Sequence, residues 1–184
     1  FLLLWSVLLS GCDKSRKSDF NRLTEGSPFI EGKTGYLGSL YTTAGNRLYM
    51  TGHQDGTFPG MGWHIKGEMG GIWDHPIKLM DGFEVDLILE DRVVALNKAD
   101  RFVNYPFANT HRYTIEALQL YIERWQFVPD HKEGIAVQFI LKNTGESTRN
   151  FKLRFTGHAD LRPTWLGART RMSDGRDRAA FKSD

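Results

Sequence analysis

The side chains best suited to ligand chemistry crowd into one glycine-rich stretch, residues 61–83. An indole face packs well on the apolar C–H face of a pyranose, while carboxylate and imidazole groups bond the sugar hydroxyls. The stretch therefore predicts a carbohydrate-binding surface, with these candidate contacts: Trp63, His64, Glu68, Trp73, Asp74 and His75. The alternative is that the two tryptophans only pack this loop onto a sheet.

A second polar and aromatic group follows the last clear strand pattern. It contains Arg162 and Trp165, with His158 and Asp160 just before them. We assign Arg162 and Trp165 to the same candidate carbohydrate site. The alternative for this group is a corner that packs the end of the sheet.

We assign no residue of this sequence to catalysis or to metal binding. Glu68 and Asp74 could serve as a glycosidase pair, which needs two carboxyl groups about 5 to 10 Å apart, but sequence spacing cannot show that distance. His53, His64 and His75 recur every eleven residues, yet no two imidazoles have the spacing of a metal site. We therefore expect no catalytic residue in this chain, no metal and no cofactor.

Other functional classes are excluded by missing motifs and by the charge balance. The chain has no serine-hydrolase elbow, no phosphate-binding P-loop and no dinucleotide fingerprint. Its 24 basic and 22 acidic residues leave a net charge of +2, without long runs of one sign. We expect no nucleic-acid partner, because such a partner requires a broad basic surface.

Alternating apolar and polar side chains predict the elements that position these groups. Residues 83–89 alternate and then become fully apolar, as a strand entering a buried sheet does. The nineteen glycines favour tight turns between short strands. The predicted strands are residues 47–51, 83–89, 92–96, 111–117, 118–128, 135–141 and 151–155. They predict a mostly β fold, an antiparallel β-sandwich, with a helix as the competitor over residues 111–128.

Two connections are also predicted. Residues 135–141 and 151–155 are expected to form a hairpin across the polar turn at residues 143–148. Residues 52–71 are expected to form a long loop, because seven of these twenty positions are glycine.

The start of the chain is typical of an exported lipoprotein. Residues 1–11 form an uncharged apolar run that fits a signal peptide, and small residues directly precede Cys12, as in a bacterial lipobox. A simple signal peptide, or a buried N-terminal strand with an incidental cysteine, is the alternative. The predicted organisation is a signal peptide (1–11), a polar tether (12–27), a β-sandwich domain (28–175) and a connection (176–184) towards a missing C-terminal domain. We expect lipidation of Cys12 and anchoring in the bacterial cell envelope.

The stretch Gly70–Phe83, together with Asp160–Leu166, resembles the N-terminal region of bacterial glycogen-debranching-like proteins, which belong with the six-hairpin glycosidases. The resemblance covers residues 28–175. It implies an N-terminal β-sandwich followed by an (α/α)6 barrel. That family carries its catalytic acids in the barrel, so the resemblance transfers no catalytic residue to this chain.

Three functions follow as hypotheses. The first is the non-catalytic sandwich region of an exported lipoprotein glycoside hydrolase, with an α-glucan or related glycan as partner. The second is a non-catalytic glycan-binding surface lipoprotein. The third is a structural or assembly lipoprotein without a sugar ligand, which predicts that Trp63 and Trp73 are buried.

Overall fold

Eleven antiparallel strands dominate the part of the chain that the structure describes. The structure is a computed structural model and describes residues 19–58, 60–62, 66–89, 92–167 and 170–178. The strands are β1 (Ile30–Glu31), β2 (Leu40–Ala44), β3 (Tyr49–His53), β4 (Gly71–Asp74), β5 (Ile77–Ile88), β6 (Val93–Ala95), β7 (Arg101–Asn104), β8 (Ala108–Ile115), β9 (Leu120–Phe127), β10 (Ala136–Asn143) and β11 (Lys152–Pro163). One short helix, α1 (Asp19–Leu23), and two single 3-10 turns (Thr34–Tyr36 and Glu116–Leu118) complete the described elements.

The strands form two sheets. Sheet A has the order β1-β7-β8-β9-β10, and sheet B has the order β11-β5-β4-β3-β2, with β6 also paired to β5. Every pairing between these strands is antiparallel. The predicted mostly β, sandwich-like architecture is therefore confirmed, and β6, within the strand predicted at residues 92–96, pairs with β5.

The core lies between the sheets because alternate residues of each strand turn inward. On β5, Phe83, Val85 and Leu87 are buried, as the sequence pattern predicts. They pack with Met50 of β3 and Ile122 of β9, which are fully buried. Hydrophobic contact between the two layers is the main force that holds them together.

Helix α1 covers the outer face of sheet A. The Phe20 ring stacks on Trp125, with centroids 6.2 Å apart, and meets Phe127 edge-on at 5.9 Å. Phe20 and Trp125 are both buried, at 8% and 1% exposure. Ordered packing thus reaches back to Asp19–Leu23, inside the segment predicted as a polar tether.

The predicted hairpin of residues 135–155 is wrong. Strand β10 pairs along its whole length with β9 in sheet A, whereas β11 pairs with β5 in sheet B. The polar residues between them connect the two sheets. Alternation predicts the two strands, and Leu153 and Phe155 of β11 are partly buried against the core, but it does not specify the neighbouring strand.

The predicted loop of residues 52–71 is interrupted at both ends. Strand β3 continues to His53, and β4 begins at Gly71. Strands β4 and β5 form a hairpin whose tip contains a cis peptide bond between His75 and Pro76. Much of the candidate stretch at residues 61–83 therefore belongs to a sheet. No helix among the described residues has the length and apolar character needed to cross a membrane.

Candidate functional site

The end of sheet B brings together residues that are distant in sequence. Strand β11 runs antiparallel to β5, so that Arg162 lies opposite Lys78. The amide of Thr164 donates a 2.9 Å hydrogen bond to the carbonyl of Pro76 at the hairpin tip. The turn that follows β11 is thus held beside the β4–β5 hairpin.

Lys78 lies at the centre of a charge cluster in this corner. Its side chain is only 1% exposed, and its Nζ atom lies 2.8 Å from Glu68, 2.5 Å from Asp81 and 2.7 Å from Asp160. Burial by itself lowers the pKa of a lysine, but hydrogen bonds to Asp160, Asp81 and Glu68 outweigh it and raise the pKa of Lys78. The ammonium group therefore stays charged although it is buried.

Asp160 is the most enclosed of these carboxylates, with a side chain that is 15% exposed. Burial raises its pKa, but Lys78, Glu68 and Arg162 together lower the pKa below its usual range. An ionised Asp160 is thus a structural part of the corner.

Glu68 joins the two cations. One carboxylate oxygen accepts a hydrogen bond from Lys78, and the other lies 3.3 Å from the guanidinium group of Arg162. Both carboxylate oxygens of Glu68 therefore lie close to a cation. Its position suits the fixing of Arg162.

Arg162 in turn organises the chain that follows β11. Its guanidinium group donates to the carbonyl of Leu166, at 3.3 Å, and lies 4.0 Å from Asp174. The turn between Arg162 and Leu166 carries Trp165, which is 50% exposed. A half-exposed tryptophan thus follows closely, in the chain, a residue that belongs to the charge cluster.

Trp73 lacks the exposed ring face that stacking on a sugar requires. It is fully buried, its indole N–H donates to the carbonyl of Gly70 at 2.9 Å, and its ring is parallel to that of Tyr49 at a centroid distance of 6.3 Å. No face of the Trp73 ring is open to a ligand. This residue packs the sheet, which was the alternative weighed for it above.

Asp74 and His75 lie at the hairpin tip. They line a shallow groove of about 490 Å³ together with Arg47 and Tyr49. His75 is exposed and Asp74 partly so. They adjoin the end of β11 through Pro76 but take no part in the contacts around Lys78 described above. The remaining candidates, Cys12, Trp63 and His64, lie outside the described residues.

Lys78 and Asp81 are members of the corner that the sequence did not predict. A lysine within an apolar strand, followed three residues later by an aspartate, was the available signal. The carboxylate oxygens of Glu68, Asp81 and Asp160 lie within 4.8 Å of one another, a spacing that could suit a cation. The Lys78 ammonium already supplies positive charge among them.

Comparisons of this chain with protein-family models, with curated proteins and with solved structures find no match. The function is therefore argued from the geometry and the sequence.

Proposed function

We propose that this chain is the non-catalytic β-sandwich region of an exported, lipid-anchored glycoside hydrolase, and that it contacts an α-glucan or related glycan at the end of sheet B. The observation that carries the proposal is the half-exposed Trp165, three residues after Arg162, whose guanidinium group lies 3.3 Å from Glu68. A pyranose needs an aromatic surface for its apolar face and fixed charged groups for its hydroxyls. This corner offers both.

The position of Arg162 supports binding because little freedom remains to be lost. Its guanidinium group is held by Glu68 and the carbonyl of Leu166 before any ligand arrives. Binding to a fixed group costs less side-chain entropy than ordering a mobile one. Asp74 and His75 line a separate groove at the hairpin tip, which we propose as a second contact surface for a longer glycan.

The burial of Trp73 narrows the proposal. Because Trp73 is buried, it cannot stack on a ligand. The stacking surface that we propose is therefore Trp165. The same burial favours the rival function, a structural lipoprotein without a sugar ligand. The two proposals differ in whether any glycan binds this corner.

Catalysis is placed outside this chain in the proposal. The proposal assigns Glu68 no catalytic role, since its two oxygens contact Lys78 and Arg162. The catalytic acids would come from a C-terminal (α/α)6-type domain, and Cys12 would hold the whole protein at the cell envelope.

Calorimetric titration of the chain with maltoheptaose tests the glycan proposal. We expect Trp165→Ala to weaken binding roughly tenfold, the effect of losing about 1.4 kcal/mol of stacking. Leu161→Ala is the matched control, since Leu161 lies four residues before Trp165, is 51% exposed and belongs to no proposed contact. Equal affinity of the wild type and Trp165→Ala would contradict glycan binding at the end of sheet B. An absence of binding by the wild type would favour the structural role.

Membrane fractionation of bacteria that express Cys12→Ser tests the anchor. We expect the variant to leave the membrane fraction, because a lipidated cysteine is the proposed attachment. Retention of Cys12→Ser in that fraction would contradict the lipid anchor.

A further inference from the structure

The groove beside the β4–β5 hairpin tip, about 490 Å³ in volume, has an aromatic side chain, Tyr49, in its wall. Tyr49 is partly exposed, whereas Trp73, whose ring lies parallel to it, is fully buried. Asn46, Asp74 and His75 add polar groups to the same lining. A concave surface of this size, with an aromatic wall and a few polar groups, is typical of a site for a small molecule. We call it the Tyr49 groove.

One wall of the Tyr49 groove is the turn between β2 and β3, and the loop that follows β9 holds this turn in place. The backbone amide of Asn46 donates to Asp130 at 2.8 Å, and the Asn46 side chain lies 3.0 Å from the ring of His131. Arg47 forms an ion pair with Glu133 at 2.6 Å. Because these contacts already order the wall, little conformational entropy remains to be lost when a ligand binds.

Strand pairing places Tyr49 and Arg162 on the same face of sheet B. Tyr49 pairs with Trp73, and Trp73 pairs with Lys78. Lys78 in turn pairs with Arg162 of β11. Directly opposed residues of neighbouring strands share a face, and neighbouring strands lie about 4.8 Å apart, so three strand spacings of about 14 Å in total separate Tyr49 from Arg162. A chain of several sugar units spans such a distance, whereas a single unit does not.

The tip of the β4–β5 hairpin connects the Tyr49 groove to Trp165. His75 lines the groove, and the next residue, Pro76, accepts the hydrogen bond from Thr164, which directly precedes Trp165. Trp73 lies between the two surfaces in the strand order but is fully buried, so it offers no ring to a ligand. A glycan that reaches both surfaces therefore passes along the hairpin tip.

We propose that Tyr49 is a second stacking surface for the same glycan, so that one chain extends from the Tyr49 groove past His75 to Trp165. The ligand class is then a glucan chain of several units rather than a monosaccharide or disaccharide. This inference rests on the proposed glycan site at the end of sheet B. It adds that two rings share one chain, and a chain that contacts both binds more tightly than a chain that contacts one.

Calorimetric titration with maltoheptaose of the wild type, Tyr49→Leu and Trp165→Ala tests whether both rings contact one chain. We expect one chain to bind per protein. Each variant should weaken binding roughly tenfold, the effect of removing one stacking contact. Tyr36→Leu is the matched control, because Tyr36 is 64% exposed and lies outside the groove. Its affinity should equal that of the wild type.

Ala44→Gln tests the groove without removing the ring of Tyr49, and it keeps the test available if Tyr49→Leu does not fold. Ala44 is exposed, pairs with Tyr49 and lines the groove, so that a longer side chain there occupies the space of the ligand. Ala44→Gln should therefore weaken binding about as much as Tyr49→Leu does. Ala95→Gln, at an exposed alanine of β6 outside the groove, should leave the affinity unchanged.

The outcomes separate this inference from the glycan site on which it rests. Wild-type affinity in Ala44→Gln or in folded Tyr49→Leu, together with weaker binding by Trp165→Ala, overturns the second stacking surface and leaves the proposed glycan site intact. Two chains bound per protein, reduced to one in each variant, overturn the shared chain. An absence of binding by the wild type overturns the glycan site and this inference together.

Discussion

Lys78 is the residue on which the charge cluster depends. It is buried, and its ammonium group lies within 2.8 Å of three carboxylates that would otherwise repel one another more strongly. We predict that Lys78→Met lowers the free energy of unfolding by about 3 kcal/mol, because removing one partner of a buried ion pair leaves uncompensated charge. Denaturant unfolding measures the loss. Lys152→Met, an exposed lysine on β11, should change stability little, and an equal loss in both variants would contradict the role of Lys78.

Acid should weaken the same corner through Asp160. Its folded-state pKa lies below the ordinary value of 3.8 because of Lys78, Glu68 and Arg162. The stabilisation is therefore present above pH 3.8 and is lost as the pH falls through the lower folded value. We predict that, between about pH 4 and pH 2, the wild type loses more unfolding free energy than Asp160→Asn does. Parallel pH curves for the two proteins would show that Asp160 does not contribute.

Residue types near the site were predictable, but their partners were not. The chemistry of Glu68, Arg162 and Trp165 is evident from side-chain type alone. The contact between Glu68 and Arg162 exists only because β11 pairs with β5, which places Arg162 opposite Lys78. For Trp73, the side-chain type was misleading. Its strand lies between β3 and β5, so a side chain with ligand-binding chemistry is used for packing.

At the scale of the elements, the β4–β5 hairpin depends on glycine at position 71. Gly71 has φ +88°, and a Cβ atom there would lie 2.1 Å from the carbonyl oxygen of Met80. We predict that Gly71→Ala destabilises the protein by roughly 1 to 3 kcal/mol, because both the backbone conformation and the contact would be strained. Thermal unfolding provides the measurement. Gly35→Ala is the control, since no atom lies within 4 Å of its Cβ position, and a similar loss there would contradict the argument.

For strands β10 and β11, the sequence predicts the positions of the strands but not their pairing. Their pattern predicts two strands, and the structure has both; Phe139 and Phe155 are partly buried and pack against the core. Strand pairing is a long-range property, decided by the contacts of β9 and β5 with these strands. A short polar connection is compatible both with a hairpin and with a crossing between sheets, so local pattern could not decide between them.

For the whole molecule, the two-layer architecture separates two surfaces. In our proposal, the end of sheet B offers Trp165 to a glycan. The outer face of sheet A is covered in part by α1, through the packing of Phe20 on Trp125. These two surfaces belong to different sheets.

The central claim, that the end of sheet B binds a glycan, is tested most directly by amide and indole NMR shifts during titration with maltoheptaose. We predict that the largest changes occur at the Trp165 indole N–H and at the amides of Arg162 and Leu166, with smaller changes at Asp74 and His75. The buried Trp73 indole should shift little. An absence of shifts, or shifts confined to sheet A, would contradict the account.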